Sequence, residues 1–140
     1  MHLGLRALVF WLTSAIIAAG ISAVQVFILY PVDPQRGSGL APFAETVWIY
    51  ALLALPAALS HLGAVSTLRR VTERTTKASK VLGSILSAVA FEATLYMLPP
   101  HLFSNGVALI LLVCAVPFAV SLIVLGVASR LHGHSLEGAA

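Results

Sequence analysis

Charge is what this sequence has least of. Eight Lys/Arg and five Asp/Glu make up only 9% of its 140 residues, 59% are hydrophobic, and the mean hydropathy is +0.99. Water-soluble domains carry roughly a quarter charged residues, so a soluble globule is excluded: too few polar side chains exist to cover it. Cysteine is nearly absent as well. The single Cys114 cannot close an intrachain disulfide, and its place inside an apolar run reads as a small buried hydrophobe. The chain also lacks the spacings that chemistry needs. It has no interpretable Ser, His and acid arrangement, no Gly-rich phosphate loop, no metal-binding helix motif and no Cys pair. Asp33, Glu73 and Glu137 fall in loops or the tail, so no carboxylate-rich catalytic face forms, and the chain does not read as an enzyme. A pI near 9.5 does not indicate nucleic acid, because the basic residues sit between apolar segments without interleaved aromatics.

Four long apolar segments remain, at about residues 7–30, 43–68, 81–98 and 107–128. The first, at ~1.5 Å per residue, is about 36 Å of helix, enough to cross ~30 Å of hydrocarbon with some tilt. A cleaved signal peptide is the competing reading, since Arg6 precedes the run and Ile21-Ser22-Ala23 resembles a cleavage site. The run exceeds the usual apolar core of ~7–15 residues, which favours a retained helix. Residues 31–41, with Pro31, Pro34, Gly37 and Gly39, have turn composition. Pro42 suits the first turn of the second helix, Trp48 and Tyr50 suit an aromatic belt near its start, and Pro56 and Pro117 are expected to bend their helices. Pro99 and Pro100 stop the third. Residues 129–140 read as a short polar cytoplasmic tail.

The fold class expected is an all-α integral membrane protein, four transmembrane helices forming two antiparallel hairpins in a single domain. Five of the eight basic residues, Arg69, Arg70, Arg74, Lys77 and Lys80, lie in the loop between the second and third segments. With alternating helices, Arg6 and Arg130 join them on one side and Arg36 is alone on the other. The excess of Lys and Arg marks the cytoplasmic side of a bacterial plasma membrane, puts both termini there, and offers the loop to anionic lipid head groups. Helices two and four share Pro-x-Ala-x-Ser, at Pro56, Ala58, Ser60 and Pro117, Ala119, Ser121. A duplicated hairpin would be related by an axis along the membrane normal.

Glu92 is the sharpest chemical signal. It lies about 10 Å inside the outer boundary, where a lipid-facing carboxylate costs on the order of 2–3 kcal/mol. Gln25, Tyr96 and Glu45 fall at similar or nearby depth. Together the four are candidates for a proton, a cation or the head of an amphipathic substrate. The plainer alternative is a Glu that locks helices together through hydrogen bonds. His61 is alone in its span. Bis-His haem ligation would need a second His at facing depth, but His2, His101, His132 and His134 all lie at or beyond the boundaries. The His132-Gly133-His134 pair makes a weak metal site. No cofactor is expected.

Small residues at helical spacing complete the pattern, with Gly83, Ser84, Ser87 and Ala88 on the third segment and Ala15, Ala19 and Ala23 on the first. Such faces let helices approach closely. The leading expectation is therefore a protein that acts by helix association, as an accessory or stabilising subunit of a larger membrane complex or as a homo-oligomer. The other is a small proton- or cation-coupled transporter or channel working through Glu92.

Overall fold

The computed structural model describes residues 3–29, 40–72 and 76–139. Helix α1 runs Leu3–Ala23 and continues as a π-helical segment, Val24–Leu29. Helix α2 is Leu40–Thr67, α3 a single turn at Arg69–Thr72, α4 Lys77–Met97 and α5 Gly106–Ala139. Four of these, α1 with its π-helical extension, α2, α4 and α5, are long and apolar enough to cross a membrane. The loop at 30–39, with the turn expected there, lies outside the described residues.

Local chemistry sets the ends. Thr76 caps α4, its Oγ1 accepting from the Ser79 amide at 3.2 Å, so Lys77 and Lys80 join the helix rather than the loop before it. Pro99 and Pro100 end α4 and open a 3₁₀ turn, Pro100–Ser104. Asn105 then starts α5, its Oδ1 accepting from the amides of Val107 and Ala108 at 3.0 and 3.4 Å. Helix α5 continues through residues expected as a tail. No proline follows Pro117 to stop it, and extending a formed helix carries no nucleation cost. Helix α1 likewise begins ahead of Arg6. This residue, expected outside the first span, is instead helical and only 4% exposed.

Helix α1 packs against α2 and α4, and α5 packs against the same two, giving a square in the order α1, α2, α5, α4. The two hairpins therefore lie side by side, with α1 beside its parallel neighbour α4. An axis along the bundle relating the hairpins would place α1 and α4 on a diagonal. The duplication symmetry expected from the shared Pro-x-Ala-x-Ser pattern is thus not how the helices assemble.

The interior is rich in small residues and holds several polar ones, whereas the exterior is large and apolar. Ala54, Ala57, Ala58, Ala64 and Ala88 are buried together with Ser14, Ser22, Ser84, Ser87 and Ser121. Ile16, Leu59, Met97, Ile110 and Ile123 each expose about two thirds or more of their surface. Water would drive the opposite arrangement; lipid, which solvates Leu and Ile well, permits this one. Cys114 is exposed on α5 rather than buried, and so faces outward with the large apolar residues.

A hydrogen bond ties α1 to α2. The Trp11 indole N–H donates to the Ala51 carbonyl at 2.9 Å, next to the Leu52 carbonyl that Pro56 deprives of its helical partner. Trp11→Phe keeps an aromatic ring but loses this bond, and is expected to lower bundle stability by about 1 kcal/mol or more in a detergent-denaturation series.

Candidate functional site

Two polar nodes occupy the middle of the bundle. The first is built on His61. On α2 the buried positions are Ala54, Ala57, Ala58, His61, Ala64 and Val65, a helical period that turns His61 inward among alanines. Its Nδ1 lies 2.8 Å from Oγ of Ser121 on α5, and its Nε2 lies 3.1 Å from Oγ of Ser84 across the diagonal on α4. From α1, Phe10 stacks on the imidazole with ring centroids 4.8 Å apart and planes at 20°. All four long helices meet at this side chain. Arg6, one turn before Phe10, is close enough to act on it electrostatically.

The second node is Glu92, which is 3% exposed. Ser14 of α1 faces it without closing a good hydrogen bond. Oγ of Ser14 and Oε2 of Glu92 are both buried and have no partner among the described residues. An unpaired polar atom in an apolar interior is costly, so this is the least settled place in the core. Between the nodes lie two rings, Phe10 and Phe91, with centroids 5.8 Å apart and both fully buried.

Of the residues grouped with Glu92 by depth, Tyr96 is near enough to feel its charge, and stands 38% exposed with its ring 6.2 Å from that of Tyr50. Gln25 and Glu45 are exposed. Depth puts these residues together, and helix phase separates them. The inward stripe of α1 is Arg6, Phe10, Ser14, Ala18 and Ser22, every fourth residue; Gln25 falls off that stripe, in a π-helical segment with no buried residue. A cavity of about 370 Å³ opens between α2, α4 and α5, lined by Ile49, Tyr50, Leu53, Leu95, Leu109 and Val113; Glu92 is not part of its lining.

No family model, curated protein or solved structure matches this chain. The reading of its function therefore rests on its own residues.

His61 is what depth-based reasoning undervalued. Its signal was present in the sequence, since it shares a face with the alanines of α2, but a single His has no motif to announce it. Its two serine partners come from helices 23 and 60 residues away. The small-residue face of α4 has also found its partner within the chain, since Gly83, Ser84, Ser87 and Ala88 are all buried in the bundle. Ser87 donates to the Gly83 carbonyl at 2.8 Å, so it offers only lone pairs to the interior. Among the described residues no three His, Cys, Asp or Glu come together as metal ligands; the side chains of His132 and His134 lie outside the described residues. At the end of the bundle where α2 finishes and α4 starts, Arg69, Arg70 and Lys77 are exposed, with Arg130 at the same end on α5. Arg74 lies outside the described residues.

Proposed function

We propose that this chain is a small membrane protein that moves protons through its four-helix bundle, with Glu92 as the carboxylate that takes up and releases them. The observation that carries the reading is the buried Glu92 oxygen left without a partner among the described residues. An ionisable group inside a membrane span is costly and ordinarily marks an ion or substrate path. A proton fits better than a metal ion. Hard cations want roughly six oxygen ligands, whereas Glu92 and Ser14 together offer three, and α1 and α4, which carry these two residues, have no proline to free a carbonyl beside them. Loading a proton also neutralises the carboxylate within the apolar interior.

In this reading the end bearing Arg69, Arg70, Lys77 and Lys80 lies in the cytoplasm of a bacterial cell, against anionic head groups, with both termini on that side. The experiment is reconstitution of the purified protein in liposomes under an imposed pH gradient, with a trapped pH dye. Flux above that of protein-free liposomes, unchanged when Na⁺ is replaced by a large organic cation, is the expected result. Flux equal to the empty liposomes rejects the reading.

A second reading, association with other membrane subunits or with a further copy, is favoured by a different observation. A groove of about 520 Å³ runs along the outside of α1 and α2, lined by Gly4, Ala7, Leu8, Trp11, Ala58 and Leu59, and is almost wholly apolar. Small residues in such a groove suit close approach of another helix. Extraction in mild detergent and a native mass decide it: stoichiometric foreign subunits or a defined homo-oligomer support association, and a bare monomer removes it.

A further inference from the structure

The interior is ordered along its length in a way that Glu92 alone does not explain. Helices α1 and α4 run parallel as neighbours, and both read in the same direction from a polar group to a ring to a polar group. On α1 the buried stripe begins Arg6, Phe10, Ser14, each step about 6 Å along the axis; on α4 the buried residues run from Ser84 through Ser87 and Ala88 to Phe91 and Glu92. Ser84 belongs to the His61 node and Ser14 to the Glu92 node, and the Phe10–Phe91 pair lies between them. We infer that His61 is a second proton-carrying group on the same path, in series with Glu92 and separated from it by the Phe10 and Phe91 rings. The inference rests on the proton-moving reading of Glu92.

The surroundings of His61 suit transfer. A neutral imidazole has one N–H and one lone pair, and a hydroxyl can donate or accept. With Ser84 on one nitrogen and Ser121 on the other, both tautomers are fully hydrogen-bonded once the two hydroxyls rotate. His61, Ser84 and Ser121 are at most 1% exposed, so transfer requires water to enter beside the serines; a proton arriving from hydronium through one serine then forms an N–H at the free nitrogen as that serine's O–H breaks, and the serine recovers its proton from the hydronium, leaving water. The opposite N–H then breaks, its proton passes to the second serine, and that hydroxyl hands its own proton to water. One proton has moved, no atom is oxidised or reduced, and the imidazole is neutral again in its other tautomer. The groups facing His61 are Arg6 and Phe10 from α1, Ser84 from α4 and Ser121 from α5; Arg6 is the charged one among the described residues.

A purely structural clasp would need only a donor and an acceptor, which a glutamine also provides. In the liposome assay, His61→Gln is expected to keep the native mass and melting temperature while flux falls about a hundredfold, the scale of a lost positioned proton carrier. Difference infrared spectroscopy should still detect protonation of Glu92 in that variant. Phe10→Ala should raise flux severalfold with His61 present and not in the Phe10→Ala/His61→Gln pair. Wild-type flux in a folded His61→Gln overturns the inference and leaves the role of Glu92 standing. Loss of flux together with the Glu92 infrared signal also overturns it, because His61 would then only shape the surroundings of Glu92. Unchanged flux in a folded Phe10→Ala overturns the series arrangement. If His61→Gln does not fold, His61→Asn provides the same comparison. A wild type without flux removes both the inference and the reading beneath it.

Discussion

Glu92→Gln is expected to reduce proton flux by about a hundredfold or more while the bundle stays intact. Gln has nearly the same shape and cannot carry the proton. Its amide N–H can donate to Oγ of Ser14, which faces position 92 and has no partner among the described residues. Stability should therefore hold or rise, since replacing a buried group whose hydrogen bonding is incomplete removes a cost rather than a contact. Glu92→Leu tests the same point from the apolar side. Had Glu92 docked against another subunit, Leu would loosen that assembly; with Glu92 97% buried inside its own bundle, Leu should leave the native mass unchanged and abolish flux. The measurements are flux in liposomes, melting in detergent and native mass, taken on the same preparation. Either variant moving protons at the wild-type rate would remove Glu92 from the mechanism.

Gly83→Leu should separate α4 from α5 and cause a large loss of stability. A Cβ built at Gly83 would stand 3.0 Å from Cδ2 of Leu125. Alanine is therefore at the limit of what fits: the tip of Leu125 has to yield by a few tenths of an ångström, and Gly83→Ala should remain folded. Three further heavy atoms have nowhere to go, and overpacking of this kind costs typically 1–3 kcal/mol, sometimes more. The damage would not stay local. Ser84 follows directly and holds Nε2 of His61 at 3.1 Å, and the Gly83 carbonyl is the acceptor for Ser87. Gly83→Leu should thus lower the melting temperature and the proton flux together, whereas Gly83→Ala should spare both. A Gly83→Leu protein that melts with the wild type would show that α4 and α5 do not close on each other here.

Each of these effects depends on helix phase, and phase is where reading the sequence and seeing the structure part. The four apolar runs were legible because a membrane span is a one-dimensional quantity: enough apolar residues at 1.5 Å each. Turn residues and caps were legible for the same reason, since Pro99, Pro100 and Asn105 act on their immediate neighbours. Glu92 stood out by depth, which is also one-dimensional. Grouping it with Gln25 and Glu45 used depth without phase, and the structure turns those two outward. His61 shows the reverse. Its neighbours along the chain made it look solitary, although the alanine spacing on α2 already pointed it inward.

What the sequence by itself determined is that this chain consists of helices long and apolar enough to span a membrane, how many there are, roughly where they begin and end, and that one carboxylate, Glu92, lies well inside such a segment while Glu45 lies near the end of another. Only the tertiary structure decided which helices are neighbours, that the small face of α4 is used inside the chain, and that His61, Ser84 and Ser121 meet. In water, the hydrophobic effect would have narrowed those choices by forcing the most apolar face of each helix inward. In lipid every apolar face is equally solvated, so the packing of small residues and a few interhelical hydrogen bonds select the arrangement. Those contacts join residues as far apart as His61 and Ser121, and no local pattern in the sequence encodes the pairing.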